Sequence, residues 1–248
     1  MSLGHAALLS AAAFLAGALN AVAGGGSFLT LPALVVTGAS PLVANATGTV
    51  ALVPGYLSGA WGFRQELRAP PGLSLRALLA LGAAGGALGG LLLLVTPATA
   101  FGRIVPWLLL AATAIFALAP RLLRAARAGQ ARAGPAAAGV LLVCAYGGYF
   151  NGGLGVLLLA LLALLGQSNL NAMNGVKNLL SAAVATIAIC LYATGGLVRW
   201  REAALMTVGA AAGGYAGARL ARRVPGAWLR GGIVVTGLAM AAAFWARG

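Results

Sequence analysis

Long apolar stretches, interrupted by short clusters of Gly, Pro or Arg, run through almost the whole chain. They lie at about 6–23, 26–38, 42–63, 74–96, 101–119, 136–150, 153–166, 171–198, 203–221 and 228–246. A membrane-spanning helix needs about 20 apolar residues, because each residue adds about 1.5 Å toward a hydrocarbon core of about 30 Å. Most of the stretches approach or exceed this length. The pattern therefore predicts an all-α integral membrane protein.

Two of the stretches, 26–38 and 153–166, are too short to cross a bilayer as full helices. Each follows a glycine cluster, and the glycines are Gly24, Gly25, Gly26, Gly152 and Gly153. By contrast, 171–198 would be about 42 Å long as a single helix, so we expect its first turns to be bent or unwound. Short or interrupted segments at matching positions are typical of the binding sites of transporters.

A shift of 128 residues aligns the two halves of the chain. It pairs Gly24 with Gly152, Gly25 with Gly153, Gly38 with Gly166, Ser40 with Ser168, and Gly85, Gly86 and Gly89 with Gly213, Gly214 and Gly217. One more residue of slip pairs Asn45 with Asn174. We therefore predict two transmembrane repeats of about five helical segments each, 1–119 and 136–248, joined by the Arg-rich linker 120–135.

Composition excludes the usual soluble classes. Hydrophobic residues make up 61% of the 248 positions and charged residues only 7%, whereas about a quarter of a soluble domain is charged. The net charge of +14 is compatible with nucleic-acid binding, but the arginines lie between apolar stretches and form no basic face. We interpret them as signals of membrane topology and expect no nucleic-acid partner.

Placing 120–135 in the cytoplasm puts most of the arginines on that side. The cytoplasmic arginines would be Arg64, Arg68, Arg76, Arg121, Arg124, Arg127, Arg132, Arg219, Arg222, Arg223 and Arg230, and the outer ones Arg103, Arg199, Arg201 and Arg247. This bias follows the positive-inside rule. It predicts a membrane protein with both termini outside the cytoplasm. Because each half then crosses an odd number of times, the two repeats would be inverted relative to each other.

The sequence offers no motif for an enzyme, a metal or a cofactor. Its one histidine, His5, and its two acids, Glu66 and Glu202, cannot build a zinc site, a Ser-His-Asp triad or a buried acid pair. No phosphate-binding loop is present either. We predict that the protein is not an enzyme and carries no cofactor. Cys144 and Cys190 lie within apolar stretches, where they are expected to be packing residues.

The polar residues inside the apolar stretches cluster at the two matching places of the repeat. The predicted binding residues are Gly24, Gly25, Gly26, Ser27, Asn45, Thr47, Thr49, Asn151, Gly152, Gly153, Asn174, Lys177 and Asn178. Lys177 is well inside a predicted segment, where a charge tends to mark a substrate path. The alternatives are that its side chain extends to the membrane interface and that the amides and hydroxyls only join helices through hydrogen bonds.

The chemistry of these residues favours an anion. Amide, hydroxyl and ammonium donors, together with backbone N–H groups at the ends of broken helices, attract negative charge. A cation site would need acidic side chains or rings of carbonyl groups. The expected partners are therefore a small anionic substrate and the lipid bilayer, and the sequence leaves a homodimer open.

Four stretches of the sequence resemble the TauE/SafE family of sulfite and organosulfonate exporters. They are AGGGSFLTLPALVVTG (23–38), ANATGTVALVPGYLSGAWGFRQEL (44–67), YGGYFNGGLGVLLLALLALLG (146–166) and NGVKNLLSAAVA (174–185). The resemblance covers both halves and implies a bacterial inner-membrane transporter of small sulfur oxyanions or organic acids. In the match, the first-half motif contains Asn45, Thr47 and Thr49, and the second contains Lys177 and Asn178. Members often carry Asn at the position of Gly48, so selectivity is expected to differ here.

Together these features predict a secondary transporter or facilitator that exports small anions by alternating access between two inverted repeats. Export of a monoanion could run uncoupled, because the membrane potential favours it by about 2.3 kcal/mol per 100 mV. Two alternatives remain at this stage. One is an anion channel-like pore, and the other is a membrane scaffold that transports nothing.

Overall fold

The fold is all-helical in the part of the chain that a computed structural model describes: residues 1–22, 24–128 and 133–220, and a few positions between 234 and 245. The helices are α1 Leu3–Val22, α2 Ser27–Val36, α3 Pro41–Gly62, α4 Leu75–Val95, α5 Ala98–Ala128, α6 Ala133–Tyr149, α7 Leu154–Leu164, α8 Leu170–Thr194 and α9 Trp200–Leu220. A 3-10 turn, Arg64–Glu66, follows α3. The predicted all-α class is confirmed for these residues.

Four helices of the described chain are long and apolar enough to cross a membrane. The candidate spans are Leu3–Ala21, Leu75–Val95, Ala98–Ile115 and Leu170–Thr194. Three shorter apolar helical segments, Ser27–Val36, Ala136–Tyr149 and Leu154–Leu164, accompany them. Their length and apolar character agree with the predicted membrane protein.

The glycine clusters produce the two short helices, as predicted. Gly24 has φ +82° and Gly153 has φ +77°, a left-handed conformation that glycine adopts at little cost. The N–H of Gly24 donates to the Leu19 carbonyl at 3.0 Å and so closes the end of α1. With 10 residues in α2 and 11 in α7, each short helix covers about half of a hydrocarbon core.

The expectation that the first turns of α8 are unwound is wrong. The helix is continuous from Leu170 because Asn169 caps it, its side chain accepting the N–H groups of Asn171 and Ala172. Its length is limited at the other end, where the helix stops at Thr194 before Gly195.

The predicted linker is partly helical. Helix α5 continues to Ala128 and α6 begins at Ala133, so only 129–132 of the predicted 120–135 fall outside the described residues. The tenth predicted segment, 228–246, falls largely outside the described residues as well.

Glycine contacts show that α1, α3 and α9 run in the same direction. On α9, Gly213 packs against Phe14 of α1, and Gly217 against Ala18 four residues further along both helices. On α3, Gly55 and Gly62 contact α9 in the same order, at Ala210 and Ala218. Since α1 and α3 are parallel, α2 must be the segment that returns between them.

A second group, α4, α6 and α8, is also parallel. On α4, Gly85 packs against Leu141 and Gly89 against Ala145 of α6, while Gly82, Gly86 and Gly90 contact Leu180, Val184 and Ala188 of α8. Helix α8 is antiparallel to α3, because its residues 175 and 178 contact residues 63 and 59 of α3. The two groups therefore run in opposite directions, and α7 returns between α6 and α8.

Candidate functional site

A small crevice lies where the N-terminal half of α2 meets α3 and the turn between α6 and α7. It is too narrow to hold a water molecule. Its lining residues are Ser27, Thr30 and Leu31 of α2, Ala44, Asn45, Gly48 and Thr49 of α3, and Asn151 of the turn. The crevice thus brings together four of the predicted binding residues, from both halves of the chain.

Hydrogen bonds between the two halves hold the crevice walls together. The hydroxyl of Ser27 donates to the Asn151 carbonyl at 3.1 Å, and the Asn45 amide donates to the Tyr149 carbonyl at 3.0 Å. The Tyr56 hydroxyl donates to Asn151 Oδ1 at 3.1 Å. Since α6 ends at Tyr149, the amide of Asn45 satisfies one of the carbonyls that the helix end leaves without an intrahelical partner.

The two glycine turns touch each other directly. A Cβ atom at Gly24 would overlap Gly155, and one at Gly155 would overlap Gly24. The α1–α2 turn and the beginning of α7 can therefore approach only because both positions lack a side chain. This contact explains why glycine is needed on both sides of the crevice.

Lys177 binds the C-terminal end of α1. Its ammonium donates to the carbonyls of Asn20 at 2.6 Å and Ala21 at 3.3 Å, and to Asn174 Oδ1 at 3.0 Å. Asn178 also donates to the Ala21 carbonyl, at 3.3 Å. With only 1% of Lys177 exposed, the alternative that its side chain extends to the membrane interface is wrong. A cation at the last carbonyls of a helix is favourable, because that end carries partial negative charge.

The predicted residues do not all meet in one place. Asn174, Lys177 and Asn178 gather at the end of α1, while Ser27, Asn45, Thr49 and Asn151 line the crevice. Thr47 belongs to neither group, since its hydroxyl accepts the N–H of Arg199 at 3.0 Å in the turn before α9. The predicted glycines form the two turns between these groups.

Two residues of the site were not predicted. Asn20 is buried and joins the two groups: its carbonyl accepts from Lys177 at 2.6 Å, and its Oδ1 accepts the N–H of Gly26 at 2.7 Å. Tyr56 holds Asn151 from α3. Asn20 is the only amide side chain among the first 44 residues. Its position four residues before the glycine cluster was a signal that could have indicated it.

Acidic side chains are absent from the crevice lining. The chain has two acids; Glu66 lies in the 3-10 turn after α3, and Glu202 lies 3.7 Å from the Arg199 guanidinium. No group of three or more His, Cys, Asp or Glu that could hold a metal ion is found in the described chain. The crevice therefore presents amide and hydroxyl groups without negative charge.

A larger cavity of about 880 Å³ opens where α2 ends and α3 begins. It is lined by Val35, Gly38, Ala39, Ser40 and Pro41, by Thr99, Gly102, Arg103 and Pro106 of α5, and by Trp245. The same two helices thus form a wall of both the cavity and the crevice. Among the lining residues Arg103 carries the only charge, and it is positive.

The apolar helices, the two returning short helices and a polar crevice lined by both halves are typical of integral membrane transporters. A sequence model of the family described as "Sulfite exporter TauE/SafE" matches residues 9–244. The chain belongs to this family of membrane transporters.

Curated relatives agree with this membership. The chain is 30% identical over 224 residues to a "Probable membrane transporter protein" of Haemophilus influenzae, covering 86% of this chain and 84% of the relative. It is 30% identical to "Probable membrane transporter protein ORF9" of Sinorhizobium sp, covering 95% and 90%. It is 31% identical to "Probable membrane transporter protein YfcA" of Escherichia coli strain K12, covering 93% and 86%. No solved structure matches the chain.

Proposed function

We propose that the protein is a secondary transporter or facilitator that exports a small anion, such as sulfite, an organosulfonate or a related organic acid, across the inner membrane. The observation that carries the proposal is the crevice, where amide and hydroxyl groups of both halves converge without a carboxylate. Such a site suits an anion, because the Asn151 amide nitrogen has no partner in the described chain and can donate to a ligand oxygen that meets no negative side chain. The family description, which names a sulfite exporter, supports a sulfur oxyanion.

The proposal includes two inverted repeats. Its support is that α1 and α3 of the first half run opposite to α6 and α8 of the second. The two glycine sets that the 128-residue shift aligns also make equivalent contacts, since α4 packs on α6 and α8 while α9 packs on α1 and α3. Inverted halves give a transporter two related states, one open to each side of the membrane.

Alternating access is favoured over an open pore by the shape of the crevice. It is too narrow for a water molecule, whereas the cavity where α2 ends and α3 begins has about 880 Å³. A small oxyanion would enter or leave only if α2 and α3 moved relative to the α6–α7 turn. We interpret the described conformation as occluded, with the larger cavity as the route to the outer side.

A panel of ligands on the purified protein tests the anion proposal. Sulfite, methanesulfonate and acetate, all as sodium salts, are expected to raise the melting temperature relative to sodium chloride of equal ionic strength. The best ligand is then followed in liposomes, where an inside-negative potential of 100 mV should support about a fiftyfold outward gradient of a monoanion, equivalent to about 2.3 kcal/mol. Stabilisation by amines, with none by these anions, would show that the proposal is wrong.

Gly48→Ala tests whether the crevice is the binding site. The added Cβ would lie 3.0 Å from Thr30 Oγ1 and 3.4 Å from its Cβ, so it would crowd a space already too small for water. We expect binding of the best anion to weaken at least about tenfold, or about 1.4 kcal/mol. Gly102→Ala is the matched control, because a Cβ there meets nothing within 4 Å. Equal affinities for the two variants would place the binding site elsewhere.

The two rival functions predict different results. A channel-like pore would give single-channel currents and a flux that does not saturate with substrate concentration. A scaffold would give neither flux nor ligand stabilisation, and Lys177→Ala and Asn178→Ala would change neither.

A further inference from the structure

Two buried amides at the beginning of α2 have unused donors. Asn20 is 2% exposed and Asn151 is 3% exposed, and Nδ2 of each lacks a hydrogen-bond partner in the described chain. A buried polar group without a partner costs about 1–3 kcal/mol. Such groups are uncommon and call for an explanation, such as a ligand that the site is built to bind.

Both amides are fixed to the first residues of α2. Oδ1 of Asn20 accepts the N–H of Gly26 at 2.7 Å, and the carbonyl of Asn151 accepts from the Ser27 hydroxyl at 3.1 Å. The Tyr56 hydroxyl donates to Asn151 Oδ1 at 3.1 Å, and the side chains of Asn20 and Ser27 lie near that hydroxyl, so the three polar side chains meet at one point. That point is the N-terminus of a 10-residue helix, which carries partial positive charge.

We propose that Asn20 and Asn151 form a pair of amide donors that binds two oxygens of one oxyanion at the N-terminus of α2. Asn20 thereby becomes a substrate-binding residue in addition to those that the sequence indicates. The inference rests on the proposed function and specifies its ligand. Two donors on separate elements can each take a different oxygen of sulfite, a sulfonate or a carboxylate, whereas a halide would have to share one atom between them.

Lys177 acts on this ligand through Asn20. Its three N–H groups are directed to Asn20, Ala21 and Asn174, so it is a positioning residue that holds the end of α1. The groups that would touch the ligand are neutral amides. Each contributes less than a charged partner would, which suits a transporter that must also release its substrate.

Asn20→Asp tests the pair with the least structural change. The aspartate keeps the side-chain oxygen that accepts the N–H of Gly26. It loses the two N–H donors of the amide and adds a negative charge. The Lys177 ammonium lies next to the backbone carbonyl of residue 20. We expect the ligand-free variant to elute as a single species and the affinities for sulfite and methanesulfonate to fall at least tenfold. Asn169→Asp is the matched control, because Asn169 is an exposed cap that only accepts hydrogen bonds, and its affinities should equal those of the wild type.

A second measurement uses the wild-type protein and does not depend on the variant folding. Sulfite should slow backbone hydrogen exchange in peptides covering 17–28 and 146–155, and chloride at the same concentration should not. Unchanged affinity in a folded Asn20→Asp, or no protection of 17–28 by sulfite, would overturn the assignment of Asn20. If the wild type bound other anions but Asn20→Asp bound them equally well, the proposed function would stand and only this inference would fail. Absence of any anion binding by the wild type would remove both.

Discussion

Lys177 is the chain's only lysine, and it joins two helices at one point. Its ammonium donates to three neutral oxygen atoms, two of which are carbonyls at the end of α1. A buried charge is costly unless hydrogen bonds replace its hydration. The three acceptors supply that replacement, and they also fix the α1–α2 turn from which the predicted oxyanion site is built.

Lys177→Met should therefore lower both stability and anion binding. The variant leaves the Asn20 carbonyl and Asn174 Oδ1 without their donor, so we expect a loss of about 1–3 kcal/mol of unfolding free energy. A thermal melt with and without sulfite measures both effects. Arg201→Gln, which removes one positive charge at an exposed position of α9, is the control. If Lys177→Met melted and bound sulfite like this control, the structural role of the ammonium would be wrong.

Sequence alone indicated several residues that the structure brings together. Ser27, Asn45, Thr49 and Asn151 were predicted because they are polar residues in apolar surroundings, and all four line the crevice. Asn20 was missed because its importance comes from its hydrogen bonds to Gly26 and Lys177. Those bonds follow from the turn after α1 and the packing of α8, which no local pattern contains.

At the level of helices, glycines spaced along α4 and α9, such as Gly85 and Gly89 or Gly213 and Gly217, set the distances at which these helices pack against α6 and α1. A Cβ at Gly89 would overlap the Ala145 carbonyl and lie 2.7 Å from the Gly148 carbonyl carbon. Small residues let transmembrane helices approach closely enough for their backbones to touch. The pairs α4–α6 and α1–α9 depend on this contact.

Gly89→Ala should separate α4 from α6. Because the neighbouring atoms are backbone and cannot rotate away, we expect a loss of about 1–3 kcal/mol, measured as a lower melting temperature in detergent. Gly4→Ala serves as control, since a Cβ there has no neighbour within 4 Å. Identical melting curves for the two variants would mean that the backbone contact does not limit stability.

The two short helices could be predicted from the sequence, whereas the start of α8 could not. The helices α2 and α7 follow glycine clusters with left-handed residues: Gly24 closes the end of α1, and Gly153 is the residue directly before α7. For α8, the excess length of the apolar stretch suggested an unwound start. The helix is instead continuous, with Asn169 as its cap and Thr194 as its last residue. The length of the apolar stretch alone could not decide between an unwound start and a continuous helix with an earlier end.

At the level of the whole molecule, the helices form two groups of parallel helices, and the proposed transport motion is a movement of one group relative to the other. Helices α1, α3 and α9 form one group and α4, α6 and α8 the other. The crevice and the Lys177 cluster lie where the groups meet, because each contains a hydrogen bond from one group to the other: Asn45 of α3 to Tyr149 of α6, and Lys177 of α8 to Asn20 of α1. Under the proposed alternating access, we expect a relative rotation of the two groups to open the site.

Membrane orientation can be tested by cysteine labelling. In a background with Cys144→Ala and Cys190→Ala, Ser2→Cys should react with an impermeant maleimide in intact spheroplasts. Gln130→Cys in the predicted cytoplasmic linker should react only after permeabilisation, because eleven of the fifteen arginines were assigned to that side. A gel shift with a polyethylene-glycol maleimide measures both. Labelling of both positions from the same side would contradict the odd number of crossings that inverted halves require.

The amino-acid sequence by itself determined the membrane class, the approximate segments, the short helices and the family, because hydrophobicity, glycine turns and motifs are local properties that add along the chain. Only the tertiary structure decided which polar groups meet. Asn20 and Asn151 are separated by more than half of the chain, yet both contact the beginning of α2. The crevice is a property of three packed segments, and its width depends on backbone contacts at Gly24 and Gly155. Such distances arise from the balance of all helix contacts together, so no single stretch of sequence specifies them.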